Sequence, residues 1–586
     1  MRRREFLGLA ALPLAHAVRQ PEAAPPAAVV TADGAPATGI EVVREYDGPF
    51  CRPRLVNRTD RRVAIKEVEL LDARLTAPPE ATIYGEGFQM LSQTGGTLGA
   101  PADLSQYTDA AHYRLPDAAD GRTFYGLFAV THQSRGTVYA FTSCARFSGK
   151  LVAQSGRLRA VVDTEGLTLE PRETWQLEEF VVLEAADRAR AFAQVGDRLA
   201  RNHRPIRGAQ PPTGWCSWYC FGPGVTAQQV LDNLDVIAKS FPRLKYVQID
   251  DGYQSAMGDW LTTGAAFGGN IRTVLDEIHR RGFEPAIWVA PFVAEAASNV
   301  FTQHPDWFVA DASGAPLRSD RVTFGGWRRG PWYALDGTHP DVQAHFERVF
   351  GTLREEWGCT YFKLDATFWG AMHGGRFHDP KATRIEAYRR GMQAIGRGAK
   401  DAFLLGCNHP IWPSAGLVHG SRSSNDIKRT WDRVMTTARQ NLSRNWQNGR
   451  LWWNDPDAVV LAGELSDVEC QFHATAIYAS GGMVLSGDDL TAMPEPRAEM
   501  LRKLLPPTGI AAEFEDATLC VGWVPLPEGR MICLFNWDDE PMTLTPHLTS
   551  PATVLDYWTG ESIGRREGAL SIRMPARSAR LLQVIG

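Results

Sequence analysis

The segment YFKLDATFW, from Tyr361 to Trp369, places Lys363 and Asp365 two residues apart inside an apolar run. In a strand, residues i and i+2 point to the same side, so an ammonium and a carboxylate share one spot. A structural ion pair is one use of such a pair. A reaction centre is the other, because a neighbouring cation favours the ionised, nucleophilic carboxylate. A second acid is available at Asp426, four residues after Arg422 in SRSSNDIKRTW. One carboxylate as nucleophile and one carboxylic acid as proton donor, about 5–5.5 Å apart, are the parts of retaining glycoside hydrolysis. Arg422 would position Asp426 or bind a sugar hydroxyl. Asp432 competes for the acid role but falls within the next helical pattern. A third acidic site is the adjacent pair Asp250-Asp251, whose mutual repulsion must be settled by hydroxyls, amides or cations. A polyhydroxylated substrate supplies such donors. A metal is the competing use, but no His-rich ligand set accompanies these acids.

These residues need elements to aim them. From Gly214 to Leu505 short apolar runs alternate with helical stretches: GWCSWY, LKYVQID, EPAIWVAPF, TYFKLDAT, AFLLGCN, VHGSRSSND, LWWNDPD and MVLSGDD each precede a helix or a loop. Eight such units predict a (β/α)8 TIM barrel, whose active site lies at the carboxyl ends of the strands. A doubly wound open sheet is the rival, but no glycine-rich phosphate loop supports it. Acidic residues end five of the eight strand candidates: Asp250-Asp251, Asp365, Asp426, Asp455-Asp457 and Asp488-Asp489. Any one of them could simply cap a helix or a turn. Asp455 and Asp457 read as structural.

The flanks follow another rhythm. Short alternating runs separated by Gly, Asp and Pro predict an N-terminal β-sandwich over 38–205, and similar runs predict a small C-terminal β-sandwich over 506–586. The barrel takes 206–505, so the fold class is multidomain, α/β plus all-β. Residues 18–37 are rich in Pro and Ala and read as a linker. Residues 1–17, MRRREFLGLAALPLAHA, carry a charged start, a short apolar run and a small-residue cleavage site. Arg3-Arg4 before Phe6-Leu7 resembles a twin-arginine signal, with Arg2 standing where that pattern has Ser or Thr. A bacterial periplasmic or secreted protein is expected, with no membrane association after export and a Sec route as the alternative. The nine cysteines are odd in number and sparse, which predicts buried free thiols rather than disulfides or a zinc site. The net charge of −5, without basic runs, argues against a nucleic-acid partner. The 18 tryptophans, many near Gly, Asp and Asn, suit both cores and the flat faces of sugar rings.

At these motifs the sequence resembles the clan D glycoside hydrolases, most closely the family 36 α-galactosidases, or melibiases. GWCSWY, IDDGYQ with MGDW, IWVAPF, YFKLD and SRSSNDIKRTW match that family's motifs in order and at barrel spacing, and WNDPD and VLSGDDL resemble the sister family 27. The resemblance implies Asp365 as nucleophile, Asp426 as acid/base, and Asp250 and Asp251 as binders of the hydroxyls on carbons 4 and 6. It implies sugar contacts for Lys363 and Arg422, and a pocket wall from Trp218 and Trp288. After the fifth strand the family often has a cysteine and a glycine run. Here the stretch is Cys407-Asn408-His409-Pro410. Cys407 is expected on the carbon-2 side, where this departure leaves galactose, N-acetylgalactosamine and β-L-arabinopyranose open. The expected activity is exo-acting, retaining hydrolysis of terminal α-galactosides on oligo- or polysaccharides, with no metal or organic cofactor. A related α-glycosidase and a non-catalytic carbohydrate-binding barrel are the alternatives, and the oligomeric state is open.

Overall fold

The computed structural model describes residues 27–133 and 135–586. The expected export signal lies outside them. Eight parallel strands form the central sheet: β1 Thr213–Cys216, β2 Tyr246–Ile249, β3 Glu284–Val289, β4 Tyr361–Leu364, β5 Phe403–Gly406, β6 Gly420–Arg422, β7 Trp453–Asp455 and β8 Val484–Ser486. Each strand from β1 to β6 pairs with the next in the chain, and β8 returns to pair with β1. Closure between β7 and β8 is carried by a parallel bridge at Val459 and Ser486 and by Met483 N–H donating to the Asn454 carbonyl at 2.8 Å. All eight strand candidates therefore meet in one nearly closed barrel. The strands are short and apolar because they are buried on both faces. Helices such as Ala227–Ser240 and Arg384–Ala399 return the chain, each opened by a capping box, Thr226 with Gln229 and Thr383 with Glu386.

The N-terminal region is a pair of antiparallel sheets. In the larger one, residues of alternate parity serve two cores. Phe128, Val130, Tyr139 and Phe141 face the other sheet of the sandwich. Leu127, Ala129, Val138 and Ala140 face the other way, onto the barrel side with Phe192 of the helix Arg188–Asn202. A sheet buried on both faces loses the polar alternate of a surface strand. One expectation is corrected here: Ala28–Thr31, placed in the linker, forms a strand paired with Val63–Arg74. The pairing buries Val29 opposite Val68, which a Pro/Ala-rich composition did not suggest.

The C-terminal strands form a six-stranded antiparallel sheet and a two-stranded partner. One face packs on its own core of Ile532, Leu534, Leu582 and Val584. The other, with Cys533, Phe535 and Leu581, belongs to the main core shared with the barrel helix Asp467–Ser480. The nine cysteines are all free thiols, and seven of them are buried.

Candidate active site

The carboxyl ends of the strands converge on a cluster of charges. Asp365 is the first residue past β4, and the next residue, Ala366, turns the chain through a left-handed conformation, φ 52°. Three N–H groups hold the carboxylate: Trp288 Nε1 on Oδ2 at 3.0 Å, and Asn408 Nδ2 and the Ala366 backbone on Oδ1, each at 2.7 Å. Asp365 is 8% exposed.

Lys363 shares the strand side with Asp365 but does not pair with it. Its Nζ reaches Asp250 Oδ2 at 2.9 Å, and both side chains are buried. Burial pulls the ammonium pKa down, but Asp250 together with Cys216, Cys407 and Asp365 outweighs it and holds the value well above that of an ordinary lysine. The cation expected to favour the ionised Asp365 thus makes its ion pair with Asp250, while three N–H donors hold the Asp365 carboxylate. The Asp250-Asp251 pair is likewise settled by the chain's own cations. Asp250 takes Lys363, with Gln248 Nε2 at 2.6 Å. Asp251 takes Arg328, with Nε at 2.9 Å from Oδ2 and Nη2 on Oδ1, and Gln254 Nε2 at 2.6 Å. Burial still pushes the Asp251 carboxyl above its ordinary value, against the pull of Arg328.

At the end of β6, Arg422 is 1% exposed and sits between two acids. Its Nη2 lies 2.8 Å from Asp426 and 2.6 Å from Asp457, and its Nη1 faces the Cys407 sulfur at 3.8 Å. Asp457 also accepts from the Tyr219 hydroxyl and from Ile427 N–H at 2.6 Å, so it anchors Arg422 from below. The Asp426 side chain is 50% exposed, far more open than Asp365. Burial works to raise its pKa, but the charges of Arg422 and Lys363 and hydrogen bonds from Arg422 and Trp218 bring it below the ordinary aspartate value. Cys407, buried behind this group, feels the charges of Asp365, Arg422, Lys363 and Asp426 together. The residues named as catalytic or sugar-binding thus fall in one constellation, whereas Asp432 lies in the helix Trp431–Ser443. Asp488, by contrast, is used by the fold: it accepts from Arg429 at 2.7 Å and from Leu461 N–H at 2.6 Å.

Three residues of the constellation were not singled out. Arg328 belongs to a long insertion after β3. Asn408 sits in the loop flagged as atypical, in a left-handed conformation, φ 40°. Tyr113 comes from the N-terminal region, and its buried ring lies 4.3 Å from the Phe368 ring, centroid to centroid. Burial, with the charges of Asp365 and Asp109, drives its phenol pKa upward. The same N-terminal region pins the β5 loop: Met90 N–H donates to the His409 carbonyl at 3.0 Å, and Ile411 N–H to the Phe88 carbonyl at 2.9 Å.

Among known proteins, residues 245–389 match the Melibiase family model. An α-galactosidase of Oryza sativa subsp. japonica is 22% identical over 389 residues, covering 61% of this chain and 80% of that protein. Two bacterial relatives are matched over a small share of their length: 18% of an A type blood alpha-D-galactosamine galactosaminidase of Flavonifractor plautii, and 17% of a bifunctional alpha-galactosidase/sucrose kinase of Mediterraneibacter gnavus. The fold is that of an α-galactosidase from Thermus thermophilus in complex with p-nitrophenyl α-D-galactopyranoside, with TM-score 0.63, 22% identity, and 83% and 94% of the two chains covered. It is also that of a GH36 α-galactosidase from Geobacillus stearothermophilus in complex with 1-deoxygalactonojirimycin, with TM-score 0.67, 13% identity, and 96% and 89% covered.

Proposed function

We propose, for a chain that is a clan D glycoside hydrolase carrying a melibiase domain, that it is an exo-acting, retaining α-galactosidase of oligo- or polysaccharides. The observation that carries this reading is the pairing of two unlike carboxylates at the strand ends. One is buried and clamped by three N–H donors, and the other is half-exposed on an arginine. In the first step an Asp365 oxygen attacks the anomeric carbon while the bond to the aglycone oxygen breaks. Asp426 gives that oxygen its proton. In the second step water attacks the same carbon from the vacated side, Asp426 takes its proton, and the bond to Asp365 breaks. Two inversions return the α configuration.

In the free site Arg422, Lys363 and Trp218 lower the pKa of Asp426, whereas the first step needs the acid protonated. An aglycone lying over this half-open carboxyl would desolvate it and raise its pKa, which supports protonation in the loaded site. Asp250, Asp251, Lys363 and Arg422 hold the ring hydroxyls, and Trp218, Trp288 and Cys407 shape the pocket. Trp288 has a second task here, since its indole N–H aims the nucleophile. The signal-like N-terminus supports export to the periplasm or the medium.

The test is turnover of p-nitrophenyl α-galactoside by the wild type and Asp365→Asn, within a panel that includes the α-N-acetylgalactosaminide and the β-L-arabinopyranoside. Near-normal rates in the Asn variant would sink the nucleophile assignment. A galactoside that binds without turnover would favour a carbohydrate-binding barrel instead.

A further inference from the structure

Asn408, which donates to Asp365 Oδ1 at 2.7 Å, stands in a left-handed conformation, φ 40°. Asparagine visits that region more readily than most residues, but the conformation persists only where its surroundings hold it. The Phe368 N–H donates to the Asn408 carbonyl at 2.9 Å, and the Met90 N–H to the next carbonyl, that of His409, at 3.0 Å. The His409 side chain supplies a further restraint. It is fully buried, and its ring packs on Gly406, the last residue of β5, where a Cβ would meet the ring at 3.1 Å.

Both ring nitrogens are bonded. Nδ1 lies 2.8 Å from Ser414 Oγ, and Nε2 lies 2.9 Å from Ser421 Oγ. Counting protons assigns the tautomer. Ser414 donates its one proton to the Pro410 carbonyl at 2.6 Å, so its oxygen accepts from the Tyr388 hydroxyl at 2.6 Å and from Nδ1–H. Nε2 is then the acceptor, and Ser421 donates to it. Burial, with the charge of Arg444, pushes the pKa of the ring down to about 3, so it keeps this neutral form. Ser421 lies on β6, one residue before Arg422, and Tyr388 lies on the helix Arg384–Ala399. One ring thus ties the residue after Asn408 to the neighbouring strand and, through Ser414, to a barrel helix.

We propose that His409 is a positioning residue for the nucleophile: the two bonds on its ring hold the turn at Asn408, and Asn408 holds Asp365. This inference rests on Asp365 being the nucleophile in the α-galactosidase reading.

The experiment is a double-mutant cycle in the whole chain, read as kcat and KM for p-nitrophenyl α-galactoside, with folding checked by circular dichroism. His409→Leu removes both ring bonds, and His409→Asn leaves a polar group too short to span the two serines. Each is made alone and together with Asn408→Ala. His409→Leu should lower kcat roughly tenfold with KM nearly unchanged, because the loss falls on aim rather than on binding. His409→Asn should lose less. In the Asn408→Ala background no amide is left to aim, so either substitution should cost less than about twofold further. Losses that multiply in the double variants would overturn the proposal, since damage to the fold at large adds to that of Asn408→Ala instead of vanishing in it. Wild-type kcat in folded His409→Leu would overturn it too; if His409→Leu does not fold, the cycle is read on His409→Asn by the same criteria. If the wild type turns over the galactoside and Asn408→Ala keeps its kcat, the route through Asn408 fails and the α-galactosidase reading stands. If the wild type leaves the galactoside intact, that reading itself fails.

Discussion

The two carboxylates at the heart of the site are built in opposite ways. Asp365 is buried and fixed by donors from three separate segments: Trp288 on β3, the chain just past β4, and Asn408 in the β5 loop. Asp426 is half-exposed and held by Trp218 and by one arginine, which is itself buried and braced by Asp457. The difference matches two tasks. A nucleophile meets one carbon in one direction, and rigid aim shortens the search for that geometry. A proton donor must serve leaving groups of varied shape and change its protonation state within each cycle.

That contrast can be broken or sharpened by mutation. The largest effect is expected at Asp365: Asp365→Asn should lower kcat on the order of 10^4-fold or more, the scale of losing a nucleophile, measured by nitrophenol release. Azide should restore part of the activity of Asp365→Gly and give the β-galactosyl azide. Asp426→Ala should lose about 10^2- to 10^4-fold on alkyl galactosides and far less on nitrophenyl ones, whose leaving group needs little protonation. Azide should rescue that variant with the α product, so the configuration of the azide, read by NMR, tells the two carboxylates apart. Equal losses on both leaving groups would remove the distinction. Asn408→Ala removes one of the two donors on Asp365 Oδ1 and should cost roughly tenfold to a hundredfold in kcat with little change in KM, since the lost bond, about 1–3 kcal/mol, aims the reacting group.

The smallest effect is a shift in pH profile. Arg422 and Lys363, with hydrogen bonds from Arg422 and Trp218, lower the pKa of Asp426, so the protonated acid disappears at lower pH than for an ordinary aspartate. Removing one of these bonds raises that pKa and extends the protonated form upward. Trp218→Phe should therefore move the basic limb of kcat/KM to higher pH by a few tenths of a unit, about the weight of one neutral donor. A shift to lower pH would contradict the assignment of that limb to Asp426.

Much of this was legible in the sequence because it is local. The eight barrel strands are short apolar runs with polar ends, and Lys363 with Asp365 obeys the two-residue period of a strand. Arg422 and Asp426 stand close enough to be read together. Partners set far apart were not legible. Arg328 meets Asp251 across 77 residues, through an insertion without periodicity, although GGWRRGPW could have flagged a loop that brings tryptophan and arginine to a sugar site. Asn408 was noticed as a departure from a glycine run, but its aim at Asp365 depends on a backbone turn. Tyr113 reaches the site from another domain, which no spacing reveals. The ion pair of Lys363 with Asp250 was not legible for the same reason: sharing a face names the neighbours on one strand, and this acid lies on another.

Glu86 and Arg444 form an ion pair with no exposed surface, one partner in the N-terminal sheet and the other at the end of a barrel helix. Arg444 also donates to the carbonyls of Met90 at 2.6 Å and Ser423 at 2.9 Å, and Gln447 adds a bond to Glu86. Cutting the chain between the two regions would leave a bare guanidinium on one piece and a bare carboxylate on the other, each stripped of its partner. The barrel is thus not a cassette that can be lifted out and fused to a different front end. Recombination, natural or in the laboratory, has to carry the sandwich along with the chemistry.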